Sequence, residues 1–264
     1  RTSPTSLLAG MVWVYTLYAL VLVAMLVAMA RENQVALKWL SIAGFVLVVT
    51  FGGGEGALFG VLGSKLFWNS GLMPIRFLFS AFLSGMALVA FAAVLFRRWP
   101  LDAEDQAARR VFRLALLSLL ALNIIIEFAE FSVTHYTGIP SVIEAHRLMV
   151  FGPYWWVFWI LHLFFGSLVP IILLTKGADK PYVARWGGAL IAVLFLTVRL
   201  NLVIPGQAVP ILSGIEEAIK NHRLTTAYVP SLHEWMVLSF IVCLGIFVFT
   251  FAKKKLNIFN VETR

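Results

Sequence analysis

Residues 7–30 read LLAGMVWVYTLYALVLVAMLVAMA, an unbroken run with no acidic or basic side chain. A bilayer core of about 30 Å needs roughly 20 apolar residues wound into helix, so this run predicts a transmembrane helix. Six further stretches meet the same requirement or nearly so: 36–62, 73–96, 111–136, 148–175, 182–204 and 229–252. The second contains Gly52-Gly53-Gly54-Glu55-Gly56, which would be costly in a water-exposed helix. In a membrane, glycines let neighbouring helices approach closely. Pro74, Pro153, Pro170 and Pro205 fall where helices end or kink. Trp68, Trp99, Tyr136, Tyr154, Trp155, Tyr182, Trp186, Tyr228 and Trp235 lie near span ends, as interfacial belts require. The predicted fold class is therefore all-α, a polytopic membrane protein with seven transmembrane helices.

Composition agrees. The chain is 61% hydrophobic and 13% charged, with a mean hydropathy of +0.90, against about 45–50% and about 25% for soluble domains. So few charges cannot cover a water-exposed surface, which excludes an ordinary cytosolic enzyme, a disordered chain and a disulfide scaffold. Cys243 is the single cysteine and lies in an apolar run, so it cannot form a metal cluster. A net charge of +8 would suggest nucleic acid only if it formed one basic face on a soluble module. Here the cations flank the membrane segments, so lipid and not nucleic acid is the expected contact.

Orientation follows from Lys and Arg. With seven spans, one side holds the first, third and fifth connections and the C-terminus. That side carries or is flanked by Arg31, Lys38, Arg97, Arg98, Arg109, Arg110, Arg113, Lys176, Lys180, Arg185, Lys253, Lys254, Lys255 and Arg264. The other has Arg1, Lys65, Arg76, Arg147, Lys220 and Arg223. The C-terminus is therefore expected in the cytoplasm, with the chain in the cell's inner membrane. The connection 97–110 (RRWPLDAEDQAARR) is expected to separate a first helical bundle, residues 1–96, from a second, residues 111–264. The outer connections 137–147 and 206–227 are read as long loops that could dock a partner.

A charge at membrane depth is a functional hypothesis by default. Counting about 1.5 Å per residue along each span places Glu55 in the outer third of the second helix. Glu127 and Glu130 fall in the outer third of the fourth, three apart and so on one face. Arg199 lies at a similar height, and His233 and Glu234 open the seventh span. His162 sits near mid-membrane, with Asn123 close in depth. Carboxylates around a cation can hold or pass a proton near neutral pH; the competing reading is that Arg199 pairs with one glutamate and knits the bundle.

Other chemistries fit less well. Haem between two histidines needs them at matching depth, whereas His162 and His233 are roughly 10 Å apart in height. A retinal Schiff base needs a lysine in the seventh span, and 229–252 has none. Inverted repeats of a transporter and phosphate, zinc or nucleophile motifs are not recognisable, although a proton- or ion-conducting protein using the Glu/Arg/His cluster stays open as an alternative.

The stretch 54–89, GEGALFGVLGSKLFWNSGLMPIRFLFSAFLSGMALV, joins a glycine-rich helix end, Phe67-Trp68, a Ser/Gly turn, Pro74 and the small pairs Ser80-Ala81 and Ser84-Gly85. With GPYWWVFWILHLFFGSLVPIILL at 152–174 and YVPSLHEW at 228–235, it resembles the NrfD family of polysulfide-reductase-type membrane subunits, closest to the branch holding HybB and DsrP. The resemblance implies eight to ten helices in two four-helix bundles, so the first bundle, with three helices here, is expected to lack its first helix. It implies no haem or metal of the subunit's own. It also implies electron exchange between quinone (menaquinone or ubiquinone) and an iron–sulfur subunit on the outer face. That subunit would connect to a multihaem cytochrome c or to a hydrogenase or molybdopterin catalytic subunit, with proton movement coupled in some members. Glu55, Phe67, Trp68 and Arg76 fall in the matched segment near the outer side. Glu55 is then expected as a proton acceptor near the quinone and Arg76 as a headgroup or partner contact. Plain helix packing for Glu55 and interface anchoring for the other three are the alternatives. His233 and Glu234 fall in the matched final segment, and Glu127, Glu130, His162 and Arg199 form the candidate proton path.

Overall fold

The computed structural model describes residues 6–96, 106–177, 181–210 and 230–256. Most of the connection expected to divide the bundles, the far part of the loop after residue 206, the first residues and the end of the tail lie outside the described residues. Seven helices among those described are long and apolar enough to cross a membrane. They are α1 (Leu7–Ala30), α2 (Gln34–Gly60), α3 (Met73–Phe96), α4 (Gln106–Thr137), α6 (Val157–Lys176), α7 (Pro181–Ala208) and α8 (Leu232–Leu256). A shorter helix, α5 (Pro140–Phe151), precedes α6. The described regular structure is helical throughout, as a bilayer-spanning chain must be to satisfy its backbone without water.

Local chemistry sets the ends. Ser6 caps α1 by accepting from Ala9 N at 3.2 Å, and Asn33 caps α2 by accepting from Ala36 N at 3.0 Å. Gly138, at φ +68°, ends α4 in the left-handed conformation. Pro140 then stands at the start of α5, where its missing N–H costs nothing.

Two expectations change here. The connection 137–147, read as a loop, is mostly the helix α5. The fifth span does not run unbroken from 148, because Gly152-Pro153 interrupts it. Gly152 is extended (φ −77°, ψ −168°), as a residue before proline prefers, and a Cβ there would strike the Leu148 carbonyl. The span proper begins at Val157. Its first twelve residues, Val157–Leu168, form a wide π-type turn, and Val169 N bonds Phe164 O five residues back.

Small residues decide the packing. A Cβ on Gly56 would meet the backbone of Met73 and Pro74, and one on Gly188 would meet Ala90, so α2 lies close to the start of α3 and α7 lies close to α3. The α3–α7 contact is the most extensive, followed by α1–α2 and α2–α3. A dry core of Leu83, Ala87, Leu116, Leu120, Leu174 and Ile191 joins α3, α4, α6 and α7. By contrast α8 is exposed along its described side chains, with only Leu238 partly covered.

Candidate functional site

Two polar chambers open near the end of the bundle where α2 stops and α3 begins. The first lies between α1, α2, α3 and α7. It measures about 350 Å³ and is lined by Tyr15, Glu55, Phe59, Phe77, Arg199 and Leu202, with Leu58 and Val203. The Tyr15 hydroxyl donates to Glu55 Oε1. The Arg199 guanidinium lies 4.1 Å above the Phe77 ring, a cation–π contact that lets a cation sit among apolar walls. Tyr15 is 39% exposed and Val203 38%, so this chamber opens sideways, on the flank of the bundle between α1 and α7.

The second chamber lies across α3, between α4, α5 and α7, and measures about 230 Å³. Arg76 of α3 forms an ion pair with Glu130 of α4. One turn deeper, His162 Nε2 lies 2.8 Å from Glu127 Oε2, both side chains being buried. The π-type turn carries His162, and Ser167 Oγ donates to the His162 carbonyl at 3.1 Å, occupying an acceptor that the wide turn presents. His146 and Asn201 complete the lining at 6% and 5% exposure. Burial pushes the His146 imidazole down from 6.5 to about 4, helped by the neighbouring His135 and the Arg76 guanidinium. The ring is therefore neutral at pH 7, with one donor and one acceptor nitrogen. Phe131 and Phe67 pack on it, their centroids 4.1 and 5.3 Å from its own.

The residues singled out from sequence thus divide. Glu55 and Arg199 share the first chamber, while Arg76, Glu127 and Glu130 line the second, with His162 bonded to its Glu127. Arg199 is not the cation at the centre of the α4 glutamates; Arg76 occupies that place. Phe67 lines the second chamber and also a smaller hollow beside Lys65 and Gly206. Trp68 is buried, donating Nε1 to Leu202 O at 2.9 Å against Gly206 of α7. Near it Lys65 donates to Val209 O at 2.9 Å, and partial burial pulls its ammonium below the ordinary lysine range. These two contacts latch the α2–α3 connection onto the end of α7.

His233 and Glu234 line neither chamber. Glu234 accepts from Ser231 N at 2.6 Å and from Ser231 Oγ at 2.9 Å, and Ser231 Oγ accepts from Glu234 N at 3.4 Å. This is a capping box at the start of α8. Tyr15, His146 and Asn201 are not singled out by sequence. Tyr15 lies well inside the first apolar run, where nothing in the sequence sets it apart, and His146 lies in a stretch that reads as loop. Among the described residues no three His, Cys, Asp or Glu side chains gather around a point that could hold a metal ion.

Comparison with known proteins identifies the family. The family model described as "Polysulphide reductase, NrfD" matches residues 1–211. A selenate reductase subunit of Mesobacillus selenatarsenatis is 31% identical over 88% of this chain and 54% of its own length. The Hdr-like menaquinol oxidoreductase integral membrane subunit of Archaeoglobus fulgidus is 25% identical over 96% of this chain and 65% of its own. Protein NrfD of Escherichia coli is 28% identical over 77% and 70% respectively. The chain spans between about half and two thirds of the length of the first two relatives. With the family model covering most of its length, this multi-pass membrane protein belongs to the NrfD polysulphide reductase family.

Proposed function

We propose that this chain is the quinone-interacting membrane subunit of a respiratory or sulfur-metabolism redox complex. In this reading it exchanges electrons between membrane quinone and an iron–sulfur subunit docked where α2 meets α3, on the outer face of the inner membrane. The observation that carries the proposal is the Tyr15–Glu55 pair with Arg199 beside it, in an aromatic-walled chamber open on the flank of the bundle. The relative named as a menaquinol oxidoreductase subunit supports the choice of quinone as substrate.

A quinol must lose protons with its electrons, so its hydroxyl needs a carboxylate in reach as general base. Glu55 supplies that group, and Tyr15 holds it in place through the hydroxyl it donates. Arg199, stacked on Phe77, offers a fixed positive charge where a quinol oxygen becomes negative, and the low-polarity walls strengthen that interaction. Phe59 and Phe77 present rings against which a flat headgroup packs. The electrons pass to the iron–sulfur partner, which in turn serves a cytochrome or another catalytic subunit.

A proton-conducting role for Glu127, Glu130 and His162 is the second reading, favoured by two pairs, Arg76–Glu130 and Glu127–His162, of which Arg76, Glu130 and Glu127 line the second chamber. The test of the first uses the purified complex with quinol as electron donor. Glu55→Gln should lower turnover about 10²- to 10⁴-fold, the usual worth of a general base, while quinol still binds. Unchanged turnover overturns the assignment. Proton movement in liposomes without any redox partner, lost in Glu127→Gln, would favour the second reading.

A further inference from the structure

The second chamber contains buried polar atoms that the protein itself leaves unpaired. Glu130 Oε1, His146 Nδ1 and Asn201 Nδ2 have no hydrogen-bond partner, and all three residues line this one space. His146 and Asn201 are more than nine-tenths buried. An unpaired buried polar group costs about 1–3 kcal/mol, so three around a single cavity of about 230 Å³ describe a place for a hydrogen-bonding guest. The partners offered are mixed: an acceptor at Glu130, a donor at Asn201 and one imidazole nitrogen. Water satisfies all of them, donating a hydrogen bond to Glu130 and accepting one from Asn201, and buried waters typically make about three such bonds.

The mouth says where the water comes from. Around the rim, Asn69 on the α2–α3 connection, Thr137 at the end of α4 and Ile139 before α5 are exposed, and all belong to one end of the bundle. Deeper in, Met149 and Glu127 are buried. This chamber therefore opens endwise, whereas the chamber of Tyr15 and Glu55 opens sideways.

We propose that the chamber between α3, α4, α5 and α7 is an aqueous vestibule. It admits water at the α2–α3 end and brings it to the Glu127–His162 pair. The Arg76–Glu130 ion pair forms its wall, and Asn201 and His146 hold the ordered water. Protons exchanged at Glu127 then come from, or go to, the aqueous phase at that end. This goes beyond the quinone reading and stands whether or not quinone binds next door.

Cysteine accessibility in the whole complex, reconstituted in vesicles of known orientation, tests the proposal without any quinone assay. Cys243 is first replaced (Cys243→Ser). Single variants Met149→Cys and Thr134→Cys place a thiol deep in the chamber and nearer its mouth, and Leu83→Cys places one in the dry core. A hydrated thiol reacts as thiolate while a thiol in apolar surroundings is inert. A membrane-impermeant methanethiosulfonate should label Met149→Cys and Thr134→Cys at least about tenfold faster than Leu83→Cys, and only when added on the α2–α3 side. If Met149→Cys fails to assemble, Thr134→Cys decides alone. Labelling no faster than Leu83→Cys, labelling only by a lipid-soluble maleimide, or labelling from the opposite side overturns the vestibule.

Discussion

His162 Nε2 and Glu127 Oε2 meet at 2.8 Å, both side chains being buried inside the bundle, so each satisfies the other. Truncating one member leaves the other without its protein partner, at about 1–3 kcal/mol. His162→Leu is therefore expected to lower thermal stability in detergent sharply. His162→Gln, which can still donate to Glu127, should recover much of the loss. The double variant His162→Leu with Glu127→Leu should be more stable than the single His162→Leu, because no polar group is then left alone. His146 allows a second measurement. Its ordinary value of 6.5 falls to about 4 in the folded chain. As pH drops below 6.5, the unfolded chain binds a proton that the folded one refuses until about pH 4. Stability should thus decline across that window and level off below it. The charged or titratable neighbours in this balance are His135, Arg76 and Glu127, and His146→Phe should flatten the slope. At this scale the sequence was partly legible. Depth along a helix follows from counting residues, so Glu127, Glu130 and His162 could be grouped. Lateral position cannot be counted, so Arg76 could not be matched to Glu130, nor Arg199 to the chamber of Glu55.

Helices show the same division between what spacing reveals and what packing adds. Apolar run lengths marked all seven crossing helices, because a bilayer imposes length before it imposes contacts. Pro153 marked a helix end or kink, but not that Gly152-Pro153 would divide the fifth stretch into α5 and α6, and the π-type turn of α6 leaves no mark in hydropathy. The glycine-rich end of α2 was visible as a motif, but not which glycine matters. Geometry separates them: a Cβ on Gly53 meets nothing within 4 Å, whereas one on Gly56 meets the backbone of Met73 and Pro74. Backbone cannot rotate aside as a side chain can. Gly56→Ala should therefore push α3 from α2 and reduce assembly, while Gly53→Ala should be nearly neutral or slightly stabilising, since alanine favours helix. Expression and melting of the two variants side by side check this. Trp68→Phe removes the bond from Nε1 to Leu202 O and part of the buried ring packed on Gly206, so it should cost more than the roughly 1 kcal/mol of that bond alone, while Lys65 still holds the connection.

For the molecule as a whole, helix α7 is the element on which most others converge, packing against α3, α6, α5 and α4. Near its far end it contributes Arg199 to one chamber and Asn201 to the other, two residues apart and so on different faces. This divergence places a chamber open on the flank and an endwise chamber on either side of α3 at the same end of the bundle. Which aqueous compartment that end faces depends on charge outside the membrane. The opposite end carries most of the Lys and Arg, among them Arg97 and Arg98 after α3, Arg109 and Arg110 near the start of α4, and the run Lys253–Lys255 near the end of α8. Cations resist translocation, so the tail should lie in the cytoplasm and both chambers should face outward. A fluorescent protein fused after Arg264 should then mature and fluoresce, while alkaline phosphatase fused there should stay inactive. The opposite pair of results would invert the molecule and move the electron-accepting partner to the cytoplasmic side. Replacing Arg97, Arg98, Arg109 and Arg110 together by glutamine should give mixed orientations, because it removes much of the asymmetry that sets the direction of insertion.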